Sequence, residues 1–297
     1  MKDIILIYNP KAGDTYFRFS LDRFIEIFSE KEYEIRVFRS RRVGDMAEYL
    51  KECNLSCTQA IFVAGGDGTI NEVVNALMEM ACKIPVGVIP AGTDNAFAKS
   101  LGFGADLEEN MQALSAMIPM AVDVARVNEQ YFVNVCSAGS FASLVNISSD
   151  MKNSMGRMAY WVKGMSVLSK IHKMNLCIEV DGVKYEDQFV FFMIVNARIR
   201  RQDRETIRQK LSDGKYDLIA VRIGGVSNIA RVMMQVVKKE PILEKDILYL
   251  RGSNFKISLK DENEKSDIPI EIDGEQGSGL PLNVEVLKEE MNFFIHP

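Results

Sequence analysis

Between residues 4 and 90 the chain alternates short apolar runs with segments whose apolar residues recur at helical spacing. "IILIY" (4–8) reads as a buried parallel-type strand ended by the Asn9-Pro10 turn, and Phe17, Leu21, Phe24 and Phe28 then mark a helix. "YEIRVF" (33–38) is strand, "DMAEYLKEC" (45–53) a short helix and "AIFVAGG" (60–66) strand again. Ile70, Val73, Val74 and Leu77 mark another helix before the strand "IPVGVIP" (84–90). This order predicts βαβ units and a doubly wound parallel sheet. Ligands in such sheets sit beyond the carboxyl ends of the strands. Asn9, Gly65–Thr69 and Gly92–Asn95 all fall there.

After about residue 121 the pattern changes to strands with hairpin punctuation, from "AVDVARVN" to "IPIEIDGE". Asp181-Gly182 suits a type I′ turn. Helices are expected only near 155–173 and 227–239, so this part reads as an antiparallel, sandwich-like domain. The expected division is an α/β domain over 1–121 and a larger β-sandwich domain over 122–283, with the tail 284–297 free to return to the first. The 297 residues, 47% of them hydrophobic, allow each domain a proper core.

A net charge of -5 argues against nucleic acid as a partner, since no positive field draws phosphate backbones in. Five cysteines do not suggest a disulfide framework, and Cys53 and Cys57 lack a second pair at zinc-site spacing. Met1 is followed by charge and a short strand pattern, not by a signal-peptide pattern, and no apolar run reaches the roughly 20 residues that span a bilayer. The expectation is a cytoplasmic protein, with peripheral attachment to a membrane left open.

The stretch "FVAGGDGTINEVVNAL" (62–77) carries the chemistry. Gly65, Gly66 and Gly68 allow close backbone approach, and the N–H groups opening the following helix favour an anion. "TINE" (69–72) fits a capping box, in which Thr69 bonds forward and Glu72 reaches back. Asp67 is the anomaly, because a carboxylate about 4 Å from a phosphate charge is repelled by about 1 kcal/mol in water and about 4 kcal/mol at an effective dielectric near 20. A bridging divalent cation reverses the sign, and oxygen ligands suit magnesium. The loop therefore reads as a site for metal-bound nucleotide. It is neither a Walker loop nor a dinucleotide fingerprint, by its glycine spacing.

"GGDGT" (65–69), with "NPKAG" (9–13) and "PAGTDNAFAKSLG" (90–102), resembles the diacylglycerol kinase catalytic-domain family, in its soluble bacterial branch. The resemblance runs through nearly the whole chain. It implies a nucleotide-binding α/β domain, a larger β-sandwich domain and an active site in the cleft between them. It also implies ATP contacts from Asn9, Pro10, Lys11, Ala12 and Gly13, from Gly65, Gly66, Asp67, Gly68, Thr69, Ile70, Asn71 and Glu72, and from Thr93. Ser40 stands where the family usually has a nucleotide-contacting threonine; read by itself it is a strand-end turn residue.

Asp273 and Glu275 flank Gly274 where an alternating strand ends, in "IEIDGEQG". On residues alone this is equally an acidic hairpin turn. The resemblance makes Glu275 the general base, with Asp273 close to a metal and water network and Asp67 positioning the metal. It also implies a structural magnesium in "LSDGKYDLIAV" (211–221), held by the Asp213 side chain and the backbone carbonyls of Lys210 and Lys215, with Asp123 joining through water. Asp213 is otherwise a plain turn former. The family's aspartate after the Asn of its third loop is Ala96 here, and its Gly-Phe-Asp-Ala run appears as Gly139-Ser140-Phe141-Ala142.

Residues 151–173 hold four methionines, the only tryptophan and five Lys/Arg, with Met158, Trp161, Met165 and Leu168 on one side of a helix. They suit an acyl chain or a bilayer surface, and equally a helix packed on a sandwich. The basic run 198–210 suits an anionic membrane or a solvated helix face. The resulting expectation is ATP- and magnesium-dependent phosphoryl transfer to a lipid hydroxyl, diacylglycerol first, with contact to the inner membrane surface and homodimerisation open. The alternatives are an NAD kinase-like enzyme and a nucleotide-binding regulator without turnover.

Overall fold

The computed structural model describes residues 2–13, 17–139, 173–196, 211–222, 246–261 and 268–296. Its first part alternates β1 (Lys2–Tyr8), α1 (Phe17–Ser29), β2 (Tyr33–Arg39), α2 (Asp45–Glu52), β3 (Thr58–Gly65), α3 (Asp67–Glu79) and β4 (Val86–Pro90), then adds α4 (Ala96–Ser100) and α5 (Leu107–Leu114). The four strands pair in parallel in the order β2-β1-β3-β4. Ile4–Ile7 and Ala60–Ala64 are fully buried, as central strands covered on both faces must be. Strand order reverses between β1 and β3, which places the crevice for a ligand at the ends of those two strands. Phe24, Phe28 and Phe62 cluster beneath the sheet, with ring centroids 4.5–5.3 Å apart. Gly87 of β4 leaves room for the Phe62 ring, which a Cβ there would strike.

The second part comprises β5 (Pro119–Val127), β6 (Gln130–Phe132), β7 (Val135–Gly139), β8 (Met174–Val180), β9 (Val183–Val195), β10 (Tyr216–Arg222), β11 (Ile247–Gly252), β12 (Asn254–Leu259), β13 (Ile270–Ile272), β14 (Glu275–Gln276) and β15 (Leu282–Phe294). Pairings within it are antiparallel. β9 turns the corner of a sandwich: its first half pairs with β8, its second with β7 and β10. Alternate burial along β8 and β15 follows from one face on the core and one in water. Asp181 and Gly182 both have positive φ, 48° and 88°, as the type I′ turn requires.

β5 and β15 join the two parts. Val284–Leu287 pair with Val124–Val127, the register breaks at Glu289 (φ 53°), and Met291–Phe294 then pair with Pro119–Val122. Phe293 lies beside Val86 of β4 in parallel register, and Phe294 stacks on Phe62 at 5.8 Å. The chain end therefore packs in the core of the parallel part. The helices expected near 155–173 and 227–239 fall outside the described residues, apart from Lys173.

Candidate active site

Four loops meet at the carboxyl edge of the parallel sheet. Asn9 follows β1; its N–H donates to Ala64 O (3.0 Å), its side-chain amide to Thr69 Oγ1 (3.3 Å), and its Oδ1 accepts from Lys11 N (2.9 Å). One asparagine thus ties the first loop to the first turn of α3. Pro10, Lys11 and Ala12 continue that loop, Lys11 being exposed, and Gly13 turns it with φ +49°. A Cβ at Gly13 would stand 2.6 Å from Ala91 O, so only glycine lets this loop lie on the one after β4.

The β3–α3 loop is packed backbone on backbone. A Cβ on Gly65 would strike Thr69 at 2.5 Å, and one on Gly66 would lie 3.3 Å from Gly92 Cα. α3 starts at Asp67, with Gly66 as N-cap and no side chain capping it. The expected capping box is therefore absent: the helix begins three residues too early for it, Thr69 lies inside the first turn, and Glu72 Oε1 instead accepts from Met46 N (3.1 Å) and Ala47 N (3.4 Å) of α2. Ile70 is buried and its N–H closes the first turn on Gly66 O (3.1 Å). No side chain caps the first-turn N–H groups of α3, which favours an anion in front of them.

Asp67 has definite partners. Its Oδ2 accepts from Ala96 N (3.1 Å) and its Oδ1 from Phe97 N (3.0 Å), at the start of α4. The carboxylate is partly offset by two backbone donors and locks the third loop to the second. Position 96 contributes its N–H to this contact. Asn95, left-handed at φ 50°, exchanges two 2.8 Å bonds with Gly92, which shapes the loop that carries exposed Thr93. Ser40, 5% exposed, follows β2; its N–H donates to Tyr8 O (3.0 Å) and its hydroxyl to Arg42 O (3.4 Å).

The β13–β14 turn comes from the other part of the fold and reaches the same place. The Glu275 carboxylate lies directly against Gly68, where an added Cβ would collide with Oε1 and stand 3.3 Å from the carboxyl carbon. Residues 207 apart, one from each part of the fold, are thereby in contact. Asp273 (φ 48°, 2% exposed) anchors that turn: it accepts from Val133 N (2.9 Å), Asn134 N (3.1 Å), Val135 N (2.7 Å) and Asn71 Nδ2 (3.1 Å). Burial pushes its carboxyl up to about 6, against the pull of those four donors. Asn71 and Asn75, one turn apart on α3, also bond the backbone of Tyr131 in β6. Spacing alone had not singled out Asn75; its only mark in the sequence is an asparagine at i+4 from Asn71.

Asp123 is fully buried in β5, away from these loops in its contacts. Its oxygens accept from Glu289 N (2.8 Å) and Gly214 N (2.5 Å), and burial raises its carboxyl. In the 211–215 turn, Asp213 Oδ1 accepts from Lys215 N (2.9 Å), and Oδ2 is bonded by the guanidinium of Arg251. Lys210, the 198–210 run and the methionine-rich segment lie outside the described residues, as do Ser140–Ala142. Among the described residues no three His, Cys, Asp or Glu side chains converge on a metal position, and no helix is long and apolar enough to cross a membrane.

Comparison with known proteins fits this geometry. The family model of the diacylglycerol kinase catalytic domain matches residues 3–127, and that of the YegS C-terminal NAD kinase beta sandwich-like domain matches 134–295. A diacylglycerol kinase of Bacillus subtilis (strain 168) is 30% identical over 286 residues, 95% of this chain and 92% of that one. A diacylglycerol kinase of Staphylococcus carnosus (strain TM300) is 27% identical over 291 residues, 97% of this chain and 94% of that one. A crystal structure of a diacylglycerol kinase from Bacillus anthracis str. Sterne superposes with TM-score 0.75 at 23% identity, covering 100% of this chain and 97% of that one, a likeness of fold.

Proposed function

The chain belongs to the diacylglycerol kinase catalytic-domain family, whose members phosphorylate a lipid hydroxyl, and on that premise we propose that it transfers the γ-phosphoryl group of ATP, with magnesium, to the free hydroxyl of diacylglycerol. The observation that carries this reading is the contact of Glu275 with Gly68, which sets a carboxylate beside a glycine loop. The glycines at 65, 66 and 92 let the β3–α3 loop and the loop after β4 pack backbone on backbone, since a Cβ at Gly65 would strike Thr69 and one at Gly92 would strike Gly66. Asn9–Gly13, Gly65–Glu72, Ser40 and Thr93 are the nucleotide-facing residues in this reading, with Ile70 and Glu72 limited to their backbone, since the Ile70 side chain is buried and the Glu72 carboxylate bonds α2.

Each group has a task. The first-turn N–H groups of α3 hold the phosphate chain. Asp67 fixes the third loop against the second through Ala96 and Phe97. Magnesium, when bound, neutralises phosphate charge; with no three-carboxylate cluster among the described residues, Asp67 would hold it together with phosphate oxygens. Glu275, which is exposed, takes the proton from the acceptor hydroxyl as its oxygen bonds the γ-phosphorus and the bond from that phosphorus to the β–γ bridging oxygen breaks, releasing ADP. Asp273 acts through Glu275 as a positioning residue, because its four bonds fix the turn.

Incubation with γ-labelled ATP, magnesium and diacylglycerol in mixed micelles should give labelled phosphatidic acid. Labelled nucleotide from NAD instead would reassign the acceptor. ATP-dependent stabilisation without any product would mark a regulator and overturn the enzymatic reading.

A further inference from the structure

The family resemblance implies a divalent cation at the 211–215 turn, yet the oxygen it would take from Asp213 is already bonded by a guanidinium. We propose that Arg251 does the work of that ion in this chain and that the turn is built without metal. This role of Arg251 lies in holding the fold and is the same whichever lipid is the acceptor. β10 and β11 pair so that Asp217 lies directly opposite Arg251. From there Nη2 reaches back to Asp213 Oδ2, while Nε lies 3.2 Å from Asp217 Oδ1. The Tyr249 hydroxyl donates to Asp217 Oδ2 at 2.8 Å, and Lys215 N holds the remaining oxygen of Asp213 at 2.9 Å.

One cation thus lies against two carboxylates, hydrogen-bonded to Asp213 and held to Asp217 as an ion pair without a hydrogen bond between Nε and Oδ1. The side chains of Asp213, Asp217 and Arg251 are only 20%, 1% and 25% exposed, so water screens the group weakly. A divalent ion entering at Asp213 would meet the guanidinium at contact distance and would have to displace it. The turn so held has a structural task. Gly214 N donates to Asp123 of β5, and the Ser212 hydroxyl bonds Ala121 O of the same strand. Through Asp123 the turn also touches the β15 bulge at Glu289 N. Arg251 therefore secures the strand pair that joins the two parts of the fold, a role that an ion would otherwise fill.

The test uses the full chain without nucleotide and manganese as the probe ion. Thermal unfolding of the wild type should be the same in EDTA and in millimolar MnCl2. Arg251→Ala leaves two carboxylates facing one vacated position; its Tm should fall in EDTA, and MnCl2 should raise it again by roughly 5 °C. Manganese resonance should then count one ion per chain, lost in the double variant with Asp213→Asn. Arg251→Lys, which keeps the charge, should show no such response. A wild-type chain that binds one manganese ion and loses it on Asp213→Asn would overturn the proposal, whether or not Arg251→Ala folds. So would a folded Arg251→Ala chain that ignores manganese. An ion in the wild type that survives Asp213→Asn lies elsewhere and agrees with a metal-free turn.

Discussion

Gly68 is the residue at which stability and activity should separate. Its backbone is helical, so alanine would suit α3 better by up to about 1 kcal/mol. The atom in the way is the far end of an exposed Glu275 side chain, which swings aside cheaply. Gly68→Ala should therefore fold at least as well as the wild type while kcat falls about 10²-fold, because the base is displaced. Parallel denaturant titration and turnover assays check both halves of that statement. Asp273 gives a second prediction. Its folded carboxyl titrates near 6, above the ordinary value of 3.8, so the fold takes up a proton there between about pH 4 and 6. That group's contribution to stability is present below about pH 4 and lost as pH rises through 6. Activity should run the other way, since only the ionised carboxylate accepts all four donors that fix the Glu275 turn. A kcat–pH profile should show a limb near pH 6 that disappears in Asp273→Asn, whose remaining activity is low throughout.

Among the elements, α3 carries the most. Its first turn carries N–H groups that no side chain caps, and its Asn71 and Asn75 bond the backbone of β6 from the other part of the fold. Asn75→Ala leaves the Tyr131 N–H without its side-chain acceptor and should cost about 1–3 kcal/mol of unfolding free energy. Urea titration measures it, and a cost near zero would mean that Asn75 does not hold β6 to α3. The parallel strands were legible because strands buried on both faces must be continuously apolar, and the antiparallel ones because alternation follows from a single buried face. The glycine loops were legible as punctuation at strand ends. The partners of Asp67, Glu72 and Asp273 were not: such bonds join residues far apart in the chain, and no local period records them. Glu72 shows the failure well, because its capping-box spacing is genuine but the helix starts early and the side chain caps α2 instead. Arg251 was missed for the same reason, since only the β10–β11 register brings it to Asp217 and Asp213.

At the scale of the whole molecule, the site exists because two differently built halves share strands. β15 begins beside β12 in the antiparallel part and ends beside β4 in the parallel part, with β5 along its length. That continuity fixes where the β13–β14 turn meets the glycine loop, and hence the approach of Glu275 to Gly68. The most direct measurement of this arrangement is phosphoryl transfer from ATP to diacylglycerol by Glu275→Gln beside the wild type, with nucleotide affinity measured on both. Glu275 is exposed, so the variant should fold and bind nucleotide as before while kcat falls 10²- to 10⁴-fold. Wild-type turnover retained by the variant, or no transfer by the wild type, would contradict the account.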